Sequence, residues 1–183
     1  TELGDYDHTR LPLLDNLLPA LLREGLYHAD GQILDEVYVW GSFVQSRMHA
    51  QGVRCTDCHD AHSLQLKAEG NALCSDCHLP RVFDTIEHHG HEQGSEGSFC
   101  VDCHMPARTY MVVDPRRDHA FRVPRPDLTL ELGIPNACND CHDGPDEDAF
   151  WAVDRVAEWY VDKGRVDQPH FARALAAARR GAP

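Results

Sequence analysis

All eight cysteines of this chain fall into four pairs, and each pair is followed at once by histidine. The motifs read Cys55-Thr-Asp-Cys58-His59, Cys74-Ser-Asp-Cys77-His78, Cys100-Val-Asp-Cys103-His104 and Cys138-Asn-Asp-Cys141-His142. Two thiols separated by two residues can add to the two vinyl groups of one porphyrin. The adjacent imidazole then lies under the iron as its proximal ligand. That chemistry predicts four covalently attached haem c groups. Two other chemistries use the same cysteine spacing: four thiolates from two pairs could hold a structural zinc ion, and an exported pair could close as a disulfide. Neither needs histidine after the second cysteine. With 13 histidines among 183 residues, four such coincidences have a chance of roughly 2 in 100,000, given the cysteine spacing.

Four irons call for ligands on their far sides. The proximal set His59, His78, His104 and His142 leaves His8, His28, His49, His62, His88, His89, His91, His119 and His170, with Met48, Met105 and Met111 as the only methionines. Methionine at the sixth position would raise the potential, but Met105 directly follows a proximal histidine and cannot fold back onto the same iron. Histidine on both sides of most or all irons is therefore expected. His62, three residues past His59, cannot reach the far side of its own iron but can point at a neighbour. His88, His89 and His91 cluster between the second and third motifs, and one or two should ligate, with His89 and His91 the leading candidates. His119 sits in an Arg/Pro-rich loop over 114–126, and His28 precedes a turn at Asp30-Gly31. His49 and His8 stand in reserve, and His170 reads as a surface residue at a helix start.

The formal charge is −13 and no Lys/Arg-rich run occurs, which argues against a nucleic-acid-binding role and suits basic or neutral protein partners. Mean hydropathy is −0.47, too polar for a large aliphatic core, so porphyrins are expected to serve as the core and the apoprotein to be largely unfolded. No apolar run is long enough to span a bilayer. Because covalent attachment takes place outside the cytoplasm, the motifs imply a periplasmic or extracellular location. The chain opens on Thr1, and a mature or trimmed product is expected. Arg116, Arg117, Arg122 and Arg125 concentrate in one loop and should pair with propionates or acidic side chains. Trp40, Phe43, Phe99, Tyr110 and Phe121 are expected to pack on porphyrin faces.

The fold class read from these patterns is mainly α with extensive loops, a small multihaem fold organised around four haems. An N-terminal arm and helix should occupy 1–52, the haem-binding region 53–145 and a C-terminal helical pair 146–183, within one compact unit. Apolar spacing predicts helix over 11–24 with Pro19 as an interruption, and over 36–51 on Val37, Trp40, Val44 and Met48. It predicts two more over 147–163 and 169–180. Short helices around each motif joined by loops, and a brief extended piece over 110–113, complete the expectation. The first cysteines of the motifs lie 19, 26 and 38 residues apart, which is not a solenoid period.

The chain resembles the multihaem cytochromes c with doubled CxxCH motifs, in particular the haem-binding region of larger periplasmic or extracellular members. The stretches that carry the likeness are YHADGQILDEVYVWGSF (27–43), GVRCTDCHDAHS (52–63), GNALCSDCH (70–78), CVDCHMPARTYMVVDPRRDHAFRVPRPDL (100–128) and GIPNACNDCH (133–142). The resemblance implies that His62 in CH-x-x-H and His119 in DPRRDH are distal ligands. It also implies electron transfer through bis-histidine haems, with redox proteins as partners, or copies of the chain itself joined head to tail in an extracellular conductive filament. Alternatives are a haem-bearing subunit of a larger oxidoreductase, or a catalytic multihaem enzyme of the nitrite or hydroxylamine type. Such enzymes keep one open iron, often signalled by CxxCK or a crosslinking tyrosine. All four motifs here end in histidine, so an electron carrier rather than an enzyme is expected.

Overall fold

A computed structural model of the chain describes residues 12–16, 18, 20, 22–110, 112–160 and 168–181. His8 and Met111 lie outside the described residues, as does part of the helix expected over 11–24. The described architecture is mostly helical, with loops and one two-stranded sheet. In order it runs α1 Leu13–Asn16, α2 Val39–Phe43, α3 Arg47–Ala50, α4 Cys55–Cys58, α5 Asn71–Ser75, α6 Pro80–Phe83, α7 Ile86–His89, α8 Cys100–His104, β1 Ala107–Tyr110, β2 Asp114–Arg117, α9 Pro126–Leu132, α10 Ala149–Tyr160 and α11 Phe171–Arg179. Two 3-10 turns, Glu96–Ser98 and Cys138–Asp140, precede α8 and open the fourth motif.

The helix expected over 36–51 is two helices, and Ser46 is the reason. Its backbone is extended and its Oγ accepts the His49 N–H at 3.0 Å, so it caps a fresh helix rather than continuing the previous one. Of the described residues in the extended piece expected over 110–113, only Tyr110 belongs to a strand, as the last residue of β1, while residues 112 and 113 form a turn. Ala107 pairs with Arg117 and Tyr110 with Asp114 in antiparallel register, leaving Val112 at the tip with φ of 72° and 92% exposed.

Toward the C-terminus, Asp148 Oδ1 accepts the N–H groups of Phe150 and Trp151 at 2.9 and 3.0 Å and starts α10. His170 starts α11 in the same way, its Nδ1 accepting the Ala172 N–H at 3.1 Å; the residue expected at a helix start is the cap of that helix. Both helices pack on α9. The core is made of two small clusters. Ala29, Leu128, Ile134, Ala172 and Ala176 form one, under α9 and α11; Tyr27, Ile33 and Tyr110 form the other, against the hairpin.

Candidate metal centres

Each motif is built as a single tight turn. The His59, His78 and His142 N–H groups each donate to the carbonyl of the first cysteine of their own motif at 2.9 Å, and the third motif is α8 itself. One turn puts residues three and four apart on the same face, which gathers both thiols and the imidazole on one side of the backbone.

Consecutive motifs are neighbours in space. The Cys58 thiol lies within electrostatic reach of Cys77. Cys74 donates a hydrogen bond to Cys100, which raises the first thiol and lowers the second. Burial pushes Cys103 up to about 11, with smaller contributions from Cys138 and Cys141 of the fourth motif. Side chains brace these junctions. Asn71 at the start of α5 donates to Asp84 Oδ1 and the Ser98 carbonyl at 3.0 and 2.9 Å, and accepts the Cys100 N–H at 2.9 Å. Arg108 on β1 forks onto both oxygens of Asp140 at 2.8 and 2.7 Å. Among the described residues no three His, Cys, Asp or Glu side chains converge as a zinc cage requires.

Three motif histidines face a second imidazole. Ring centroids are 6.4 Å apart for His59 and His119, 6.2 Å for His104 and His88, and 5.9 Å for His142 and His91. Two imidazoles on opposite sides of one metal, with bonds of about 2 Å and about 1.1 Å from each nitrogen to its ring centre, have centroids about 6.2 Å apart. The separation alone does not discriminate, since His89 and His91 are also 6.4 Å apart. Tautomers do. Nδ1 of His59 faces the Leu64 carbonyl at 2.9 Å, His104 that of Arg122 at 2.6 Å, and His119 that of Arg117 at 2.9 Å. His91 faces the His89 carbonyl, and His142 faces Glu147 Oε1 at 2.9 Å. A proton donated from Nδ1 leaves the Nε2 lone pair free for a metal, the arrangement usual for ligating histidines. His89 is wired the opposite way: its Nδ1 accepts the His91 N–H at 3.2 Å and its buried Nε2 lies 3.9 Å from Asp84. Burial also holds His104 below the ordinary imidazole range, favouring the neutral ring that a metal takes.

The other candidates lie elsewhere. His62 is exposed, with its N–H on Asp60 Oδ1 at 3.1 Å. His28 lines a cleft of about 390 Å³ beside Glu24, Arg179 and Arg180, and burial lowers its pKa. His49 touches Phe43 edge-on at 5.4 Å. His78 meets Phe83 edge-on at 5.6 Å, and Phe83 meets His88 at 5.4 Å, so one phenyl ring lies between the second motif's imidazole and the imidazole that faces the third's. His88 was not a leading candidate from sequence. Adjacent residues on a helix point about 100° apart, so one of His88 and His89 must face away, and only packing decides which.

Backbone surfaces make room for these rings. A Cβ on Gly90, whose φ is +72°, would stand 2.1 Å from the Trp159 ring, and one on Gly97 would stand 2.2 Å from His91. The four arginines expected in one loop all meet acidic side chains, two of them from β2: Arg116 bonds Asp114 at 2.7 Å and Arg117 bonds Asp102 at 2.9 Å, Arg125 forks onto Asp127, and Arg122 lies 3.7 Å from Asp118 and donates to the Asp30 carbonyl and Gln45.

A family model for the doubled CXXCH motif matches residues 48–82, which hold the first two motifs. No curated protein and no solved structure matches the chain. The matched region is similar to multihaem c-type cytochromes, and its motifs imply covalent haem c.

Proposed function

We propose that this chain is an electron carrier holding four haems, one at each Cys-x-x-Cys-His motif, in a periplasmic or extracellular setting. The observation that carries this reading is the facing of three motif histidines by second imidazoles at 5.9 to 6.4 Å. His59 with His119, His104 with His88 and His142 with His91 would hold the irons of the first, third and fourth haems. A haem held this way supplies a one-electron iron centre tuned by its axial ligands, hydrogen bonds and burial.

The chain's residues do the rest. Eight thiols tether, and the carbonyls of Leu64, Arg122, Arg117 and His89 fix the imidazole tautomers. The cysteine contacts between neighbouring motifs order the centres one to four, which supports conduction along a single path. An iron with two imidazoles offers substrate no coordination position, so transfer rather than turnover is the role. The formal charge of −13 favours a basic or neutral redox partner. Among the described residues no helix is long and apolar enough to cross a membrane. Head-to-tail assembly of copies into a conductive filament extends the same reading; negative-stain images of secreted material with discrete particles alone would refute that extension.

The primary test is intact-mass analysis of exported protein together with EPR. Four haem masses and low-spin ferric signals are expected, and a bare polypeptide or zinc would overturn the proposal. A second reading, ligand binding or catalysis, has its foothold at the second motif. His78 is exposed, and among the described residues no ring contact pairs it with another imidazole. A high-spin signal that cyanide or nitrite converts would favour that reading; its absence would remove it.

A further inference from the structure

Of the five paired histidines whose Nδ1 partner is defined, His142 alone is bonded to a charged group. Its Nδ1 meets Glu147 Oε1 at 2.9 Å, whereas the partners of His59, His91, His104 and His119 are neutral backbone carbonyls. A carboxylate draws the N–H proton more strongly than a carbonyl and leaves more electron density on the other ring nitrogen. More donation to an iron stabilises its oxidised form, so the bond acts on the potential and not only on ring orientation.

The surrounding loop is built to hold this contact. Asn139 Nδ2 donates both to the His142 carbonyl at 3.0 Å and to the Glu147 carbonyl at 2.7 Å, fixing the two backbones relative to one another. Asn136 steadies Asn139 in turn, donating to its Oδ1 at 2.9 Å and accepting its N–H at 3.1 Å. Trp151, on the first turn of α10, lies 4.6 Å from the His142 ring. The amide brace fixes the Glu147 backbone, and its carboxylate meets the imidazole with one oxygen and the Gly144 N–H at 3.4 Å with the other.

Resting on the assignment of His142 as an axial ligand, we propose that Glu147 lowers the reduction potential of the fourth centre below that of the first, whose two imidazoles both face backbone carbonyls. Glu147 is a positioning residue that acts through His142, and electrons placed on the fourth centre tend to move toward the rest of the chain. The step is the transfer of one electron between irons, with no bond made or broken and no proton released.

The test is an NMR-followed redox titration of the four-haem protein, each one-electron step assigned by proton contacts and the fourth centre identified by its contact with Trp151. In the unaltered protein the step assigned to the fourth centre should lie below that of the first. Glu147→Gln keeps the side-chain length and a hydrogen-bond acceptor but removes the charge. It should move that step upward by about tenfold in its reduction equilibrium, about 59 mV for one electron, and leave the others nearly unmoved. Glu147→Asp, which keeps the charge, should recover part of the shift. A fourth centre that does not lie below the first, or a Gln variant whose Trp151-linked step stays in place, overturns the assignment. If intact mass instead finds the fourth motif without haem in the unaltered protein, the functional reading itself has failed.

Discussion

Asn71 is the side chain through which the second and third motifs are fastened, and its removal has a calculable cost. It makes three hydrogen bonds: to the Asp84 carboxylate at 3.0 Å, to the Ser98 carbonyl at 2.9 Å and from the Cys100 N–H at 2.9 Å. A neutral hydrogen bond contributes about 1 kcal/mol net, and one to a charged group about 1.5–3 kcal/mol. The gross figure is about 4 kcal/mol. Asn71 is only partly buried, so water can take over some of these bonds, and about 2–3 kcal/mol is the expected loss for Asn71→Ala. For a chain of this size each kcal/mol moves Tm by about 2–4 °C, so the fully haem-loaded variant should melt about 5–10 °C lower by far-UV circular dichroism. Asn71→Asp separates mechanism from volume. It can still accept from Cys100 but cannot donate, and it faces Asp84, so it should be at least as destabilised as the alanine variant at neutral pH. A loss below about 0.5 kcal/mol in both variants would refute the view that this amide joins the two motifs.

Replacing His119 by alanine should turn one low-spin iron high-spin and make it bind cyanide, as read by EPR and the Soret band; an unchanged low-spin spectrum would remove His119 from the ligand set. His88→Ala should do the same at the third motif, whereas His89→Ala should leave spin states intact and cost only stability, because its Nδ1 is already an acceptor; the reverse pattern would exchange their roles. Arg173 bonds Glu131 and Asp127. At Asp127 burial pushes upward but the Arg125 bond and the Arg125 and Arg173 charges outweigh it; at Glu131 the Arg173 bond is the main depressing cause. Depressed carboxylates stabilise the fold fully above their unfolded values, about 4, and lose that contribution as pH falls through the lower folded values. The denaturation advantage of the unaltered protein over Arg173→Ala should thus hold at pH 6 and shrink below about pH 4, and an advantage independent of pH would refute the ionic origin.

Legibility from sequence differed by kind of feature. The motif turns could be read directly, because Cys-x-x-Cys-His fixes the local chemistry within five residues. The helix over 149–160 and the one over 171–179 follow from apolar spacing bounded by Asp148 and His170. The split between α2 and α3 was missed because apolar periodicity runs straight through Ser46, whose capping role depends on a single hydroxyl bond. The choice between His88 and His89 was illegible in principle: both sit on the same short helix, and the orientation is set by residues 72 and 16 positions away, Tyr160 on the His88 carbonyl and His104 beside its ring. Arg122 shows the same limit. Its place in an arginine-rich loop is visible, but not that its carbonyl receives His104 while its guanidinium holds residues 30 and 45.

The distribution of apolar side chains ties these threads together. The two buried clusters are small, and alanine supplies three of the five members of the larger. Meanwhile Leu64, Leu66, Leu79, Val82, Phe83, Ile86 and Phe99 are all exposed, and every one lies between the first and third motifs. A surface that leaves seven large apolar groups in water across some forty residues gains little from folding by itself. Four of them adjoin motif residues, Leu66 bridged to His59, Phe83 against the His78 ring, Leu79 next to His78 and Phe99 next to Cys100, where large apolar plates would cover them. The charged residues take the complementary part, with each loop arginine already facing a carboxylate. On this account the sequence encodes a lining rather than a core: short turns that gather sulfur and nitrogen on one face, carbonyls that set the tautomers, and one carboxylate, Glu147, on the imidazole of the fourth motif.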